Sequence, residues 1–172
     1  YVLLLNSDGT VKGEQKISAS AGGFGGTLDA NDDFGSGLAG VGDIDSDGTP
    51  DLVVGAPRDD DGGSNRGALW VLTLDSDGTV ATTNKISSTT GGLSGALDDT
   101  DQFGYSVASL GDLDSDGRLN ILAGAWADDD GASDTGAVYV LELAPPAVDP
   151  VILDDIQSGT TVLTNALAST TA

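Results

Sequence analysis

The sequence predicts an all-β protein assembled from repeated four-stranded antiparallel units, and three observations carry that prediction. Of its 28 acidic residues only Glu14 and Glu142 are Glu, and Asp favours turns, caps and metal loops where Glu favours helix interiors. The 26 glycines, with a supply of Val, Leu, Thr and Ile, suit short strands joined by tight acidic turns. The chain also repeats itself without a gap at an offset of 69, residues 1–69 falling on 70–138 with 35 identical pairs. Almost no helix is expected.

The elements follow in order, most legibly between residues 34 and 87. Four strand-like runs, Phe34 to Val41, Leu52 to Ala56, Ala68 to Leu74 and Val80 to Ile86, are separated by turn signals. Between the last two, Asp75-Ser76-Asp77-Gly78 reads as a hairpin turn with Gly78 at positive φ, the alternative being a degenerate metal loop. A third copy begins at Tyr139-Val140-Leu141, matching Tyr1-Val2-Leu3 and Trp70-Val71-Leu72, and is lost after Leu143. Four antiparallel strands, repeated, form the blade of a β-propeller. The repeat region, 1–143, thus holds about two and a half blades, an incomplete propeller unless other chains or the rest of a longer protein complete it. Residues 144–172 open on Ala144-Pro145-Pro146 and contain Val151-Ile152-Leu153 and Thr161-Val162-Leu163, which reads as a linker or a donated strand.

Composition removes most chemistries. A formal charge of -22 disfavours nucleic acid and anionic membrane surfaces, and no apolar run approaches a membrane span, so membrane insertion is not expected. Cys, His and Met are absent, which excludes disulfides, imidazole or thiolate metal sites and histidine-based catalysis. Paired carboxylates could serve a glycosidase, but nearly every Asp has a turn or metal explanation. The chain is therefore not expected to be an enzyme.

Phe34-Gly35, then Gly42-Asp43-Ile44-Asp45-Ser46-Asp47-Gly48-Thr49-Pro50-Asp51, then Val54-Gly55-Ala56-Pro57 resemble the FG-GAP repeat of integrin α-subunit β-propellers. The second copy is similar in Phe103-Gly104, the loop from Asp112 to Asn120, and Gly124-Ala125-Trp126, where Trp126 departs from the family's proline.

Independently of that resemblance, Asp43-x-Asp45-x-Asp47-Gly48-x-x-Asp51 has the spacing by which a short loop wraps a hard cation. Asp43, Asp45 and Asp47 would present carboxylates, Gly48 the sharp turn, Thr49 its carbonyl and Asp51 the closing carboxylate. Such crowded acids repel without a cation, and six to eight oxygen ligands suit Ca²⁺ better than Mg²⁺. Val54 stands where an EF-hand would place its closing Glu, so the loop joins strands. The second site would use Asp112, Asp114, Asp116, the carbonyl of Arg118 and Asn120, and should be weaker because Asn is neutral. The resemblance implies that the two calcium ions, one in each loop, brace the first two strands of their own blades, away from the ligand-binding face. Sites of extracellular affinity are useful only where calcium is abundant, which places the chain outside the cell or on its surface.

The remaining acidic loops, Asp59-Asp60-Asp61 and Asp128-Asp129-Asp130, lie where the resemblance implies a ligand-binding face, and read as solvated turns, with a ligand or further metal the sharper alternative. Asp29, Asp32 and Asp33, with Asp98, Asp99 and Asp101, read as loop residues. Phe34, Phe103, Tyr1, Trp70 and Tyr139 recur at the repeat spacing and are expected to pack between blades. The expected function is an extracellular calcium-binding propeller module, adhesive or structural, that self-associates head to tail into a filament or ring or binds another cell-surface protein. The alternative is a noncatalytic accessory segment of a larger secreted enzyme.

Overall fold

A computed structural model describes residues 1–93 and 97–143; the linker or donated strand expected over 144–172 lies outside them. Among the described residues there is no helix, and nine strands form three antiparallel sheets. The first sheet pairs β1 (Val2–Leu5) with β2 (Val11–Gln15). The second runs in the order β3 (Leu38–Gly42), β4 (Asp51–Ala56), β5 (Ala68–Leu74), β6 (Val80–Ile86). The third is β7 (Phe103–Gly111), β8 (Leu119–Ala125), β9 (Ala137–Leu143). Set on the 69-residue repeat, these are the last two strands of one blade, a whole blade, and the first three strands of another. The sheets are one whole and two partial propeller blades and, among the described residues, do not close into a ring.

The strands over 68–74 and 80–86 coincide with the runs expected from sequence, but β3 starts at Leu38 and not at Phe34. Asp33 and Gly35 take φ of 56° and 100°, so the backbone coils through the Phe-Gly pair. Gly35 N–H still donates to the Gly55 carbonyl at 2.9 Å and Gly55 N–H to that of Gly37 at 2.8 Å, so the edge is held without a regular ladder. The Asp75–Gly78 segment is a hairpin turn: Gly78 N–H donates to the Asp75 carbonyl at 2.8 Å, and Thr79 Oγ1 to Asp77 Oδ1 at 2.7 Å.

Apolar alternation along β4 and β5 sends side chains to both faces of the second sheet, building two cores. Val53, Leu69 and Val71 meet Phe103, Ile121, Ala123 and Ala125 of the third sheet. Val54, Ala56, Trp70 and Leu72 face the first sheet, with Phe24 and Val80. Phe103 and Trp70 are buried as expected, and aromatic pairs at 5.0 Å (Phe24–Trp70) and 5.2 Å (Phe103–Tyr139) pack edge to face. Tyr1 is the exception. It is 76% exposed, because no described aromatic stands against it as Phe103 does against Tyr139.

Between the second and third sheets the backbones nearly touch. A Cβ on Gly55 would lie 1.8 Å from the Gly104 carbonyl oxygen, so both positions need glycine for the sheets to approach.

Candidate metal centres

Each acidic loop connects the first two strands of its sheet, β3 to β4 and β7 to β8. Ser46 and Ser115 take φ of 65° and 64°, and Gly48 and Gly117 φ of 92° and 89°, so both loops fold through the same tight turn. Side chains of the loop hold that turn. Asp43 accepts the Asp47 N–H at 3.0 Å on Oδ1 and the Gly48 N–H at 2.9 Å on Oδ2. Asp112 accepts the equivalent pair, from Asp116 at 3.1 Å and Gly117 at 2.9 Å.

The first loop gathers carboxylate oxygens of Asp43, Asp45 and Asp51 within 4.8 Å of one another, and the second those of Asp112, Asp114 and Asp116. Asp47, expected among the first set, is not in that group. Its Oδ1 turns over the next residues and accepts the Thr49 N–H at 2.6 Å. Asp116 caps the Arg118 N–H in the same way at 2.9 Å yet stays with its cluster. The Arg118 side chain lies 3.7 Å from Asp116 Oδ2 and donates to Glu142 Oε1 at 2.5 Å, placing a cation at the rim of the second loop.

Asp51 and Asn120 root the two loops. Asp51 is 0% exposed, and its two oxygens accept the N–H of Ile44 at 2.8 Å and of Leu74 at 2.9 Å, tying loop, β4 and β5 together. Burial pushes its carboxyl above the ordinary value; the two N–H donors pull it down, and the neighbouring Asp45 and Asp43 push it up again. Asn120 keeps one of these contacts, accepting the Leu113 N–H at 2.8 Å. A neutral amide thus replaces a buried charge, so the second site has three carboxylates and no buried one.

The other acidic loops are not simply solvated. Asp32 and Asp101, 5% and 2% exposed, accept the N–H of Asp29 and Asp98 at 2.7 Å, and burial raises both carboxyls. Lys85, stacked 5.3 Å over Trp70, reaches buried Asp59 at 2.8 Å and Asp61 at 3.4 Å. Ser87 and Thr89 hydroxyls donate to Asp61 at 2.6 Å and hold its carboxyl below the usual range. Sequence reasoning missed these buried acids, although their identity in both repeats was a signal that solvated turns would not need.

In the third sheet Tyr139 replaces Trp70, and its hydroxyl donates to Asp128 Oδ2 at 3.3 Å. Burial, then the Asp128 charge, pushes this phenol up to about 12. A folded value above the unfolded value of about 10 adds stability that is fully present below that pH. The contribution is lost as pH rises toward 12. Alkaline denaturation is therefore expected to steepen between these limits, and Tyr139→Phe should flatten that limb; an unchanged profile in the variant would show that Tyr139 does not drive it.

Comparison with known proteins agrees with this geometry. The family model of the FG-GAP repeat matches residues 34–72, which span β3, its acidic loop, β4 and most of β5. Integrin alpha-5 of Xenopus laevis is 36% identical over 111 residues, 62% of this chain and 10% of the relative. Human integrin alpha-7 is 40% identical over 98 residues, 57% of this chain and 8% of the relative. Integrin alpha-V of Gallus gallus is 30% identical over 121 residues, 70% of this chain and 11% of the relative. The chain thus spans about a tenth of the length of these relatives. By repeat, sheet order and loop, the chain is an FG-GAP repeat protein of the integrin α type.

Proposed function

We propose that this chain is a calcium-braced propeller module of an extracellular or cell-surface protein, with an adhesive or structural role and a capacity to associate with copies of itself. Residues 1–143 form the repeat region of that module. One observation carries the calcium reading: two loops at equivalent places in the repeat each gather three carboxylates within 4.8 Å. A bound Ca²⁺ would supply positive charge where the loops concentrate negative charge. Asp43, Asp45 and Asp51 would hold one ion and Asp112, Asp114 and Asp116 the other, with Asp47, Asn120 and the backbone carbonyls of Thr49 and Arg118 closing the shells. Its effect is structural, because each loop staples two strands of a sheet. The relatives are integrin α subunits, which supports the surface setting and the adhesive role.

Calorimetric titration of calcium is expected to give two sites with Kd of about 10⁻⁴–10⁻³ M, the first tighter. At millimolar calcium each site adds about 0.4–1.4 kcal/mol, so excess chelator should lower Tm by a few degrees. Asp45→Ala should remove the first site and leave the second. No heat of binding and no chelator effect would sink the reading.

A further inference from the structure

We infer that copies of this chain join head to tail by strand exchange, β2 of one copy pairing with β9 of the next and completing its third sheet. The inference rests on the self-association proposed above and names its contact. The first support is register. In the second sheet β6 covers the edge of β5, whereas the corresponding edge of β9 has no strand among the described residues. β2 pairs with β1 through Val2↔Gln15, Leu3↔Glu14 and Leu5↔Val11. Val140, Leu141 and Leu143 are the repeat equivalents of those β1 residues. β9 can therefore replace β1 against the same residues of β2. β9 is bound to β8 through seven residue pairs and β1 to β2 through four, so β1 is the strand that leaves.

Charge complementarity is the second support. Lys85 stands opposite Trp70 in the β5–β6 ladder and neutralises Asp59 and Asp61. Their equivalents Asp128 and Asp130 meet no Lys or Arg among the described residues, while Lys16, the equivalent of Lys85, is exposed and forms no ion pair there. β2 laid on β9 in the β5–β6 register sets Lys16 opposite Tyr139, beside those acids. Residues 144–172 contain no Lys or Arg, and Asp154 stands at the position equivalent to Lys85, so the matching cation in this sequence is Lys16.

Apolar surface is the third. Val41, Leu69 and Val71 of the second sheet are buried against the third sheet. Their equivalents Leu110, Val138 and Val140 are 41%, 69% and 56% exposed. At the other end, a cleft of about 630 Å³ lined by Leu4, Leu38, Leu52, Val54 and Leu72 opens on the opposite face of the second sheet. These two surfaces are the two sides of the contact that already joins the second and third sheets within one chain, which is the pattern of a heterologous, repeating interface.

The chain has no cysteine, so Gln15→Cys with Val140→Cys, both on accessible positions, makes a clean cross-linking test. Oxidised in calcium, the double variant is expected to form a ladder of disulfide-linked oligomers, and a mixture of the two single variants heterodimers only. Lys16→Glu should weaken association of the unmodified chain about tenfold in sedimentation, and Asp130→Lys in the same chain should restore it. A monomer at every concentration would overturn both the exchange and the self-association on which it rests. Oligomers that neither cross-link at 15–140 nor respond to Lys16→Glu would overturn the exchange alone and leave association through another face.

Discussion

Asp51→Ala is expected to destabilise the protein by about 2–5 kcal/mol, because it strands the two N–H groups that the carboxylate satisfies. Those donors, Ile44 and Leu74, belong to the loop and to the end of β5, so the loss falls on the joint between metal loop and sheet. Asp51→Asn should cost less, since Asn120 shows in the second loop that an amide oxygen can accept the bond from the residue equivalent to Ile44. The calcium reading adds a second signature. The alanine variant should lose binding at the first site even where it remains folded, and the asparagine variant should bind there about as weakly as the second site binds. Thermal melts in calcium and in chelator separate the two contributions: a hydrogen-bonding role lowers Tm in both, a ligand role narrows the gap between them. An alanine variant melting within a degree of the parent in both media would contradict the structural role.

The second large effect is expected at the seam between sheets. Gly55→Ala places a methyl 1.8 Å from the Gly104 carbonyl oxygen and 2.8 Å from its carbon. Both are backbone atoms, so no side chain can swing away and the third sheet must retreat from the second. Retreat opens the core around Phe103, Leu69 and Ile121, all fully buried. A cost of about 3 kcal/mol or more follows, at the upper end for overpacked interiors, equivalent to a fall in Tm of about 6–12 °C for a chain of this size. Gly40→Ala is the internal control, as an added Cβ there meets nothing within 4 Å. Equal melting of the two variants would show that the sheets do not approach through Gly55.

Much of this architecture could be read from residue order because it is local or repeated. Strand lengths over 68–74 and 80–86 follow from short apolar runs bounded by turn residues. The hairpin turn at Asp75–Gly78 follows from a glycine free to adopt positive φ, and the acidic loops from alternate aspartates around one sharp turn. The 69-residue offset then set two copies of each element in equivalent places.

Only the tertiary structure decided which aspartates are buried and which oxygens meet. Asp51 joins Asp43 and Asp45 while Asp47 turns aside, because one sits at the start of a buried strand and the other on an exposed turn. Asp32, Asp59, Asp101 and Asp128 look like neighbouring solvated acids in the sequence, yet folding buries them against backbone donors, Lys85 or Tyr139. Spacing along the chain determines what a loop can wrap. Burial, and with it the work each carboxylate does, depends on which sheet face comes to lie against it, and that is a property of contacts between residues far apart in sequence.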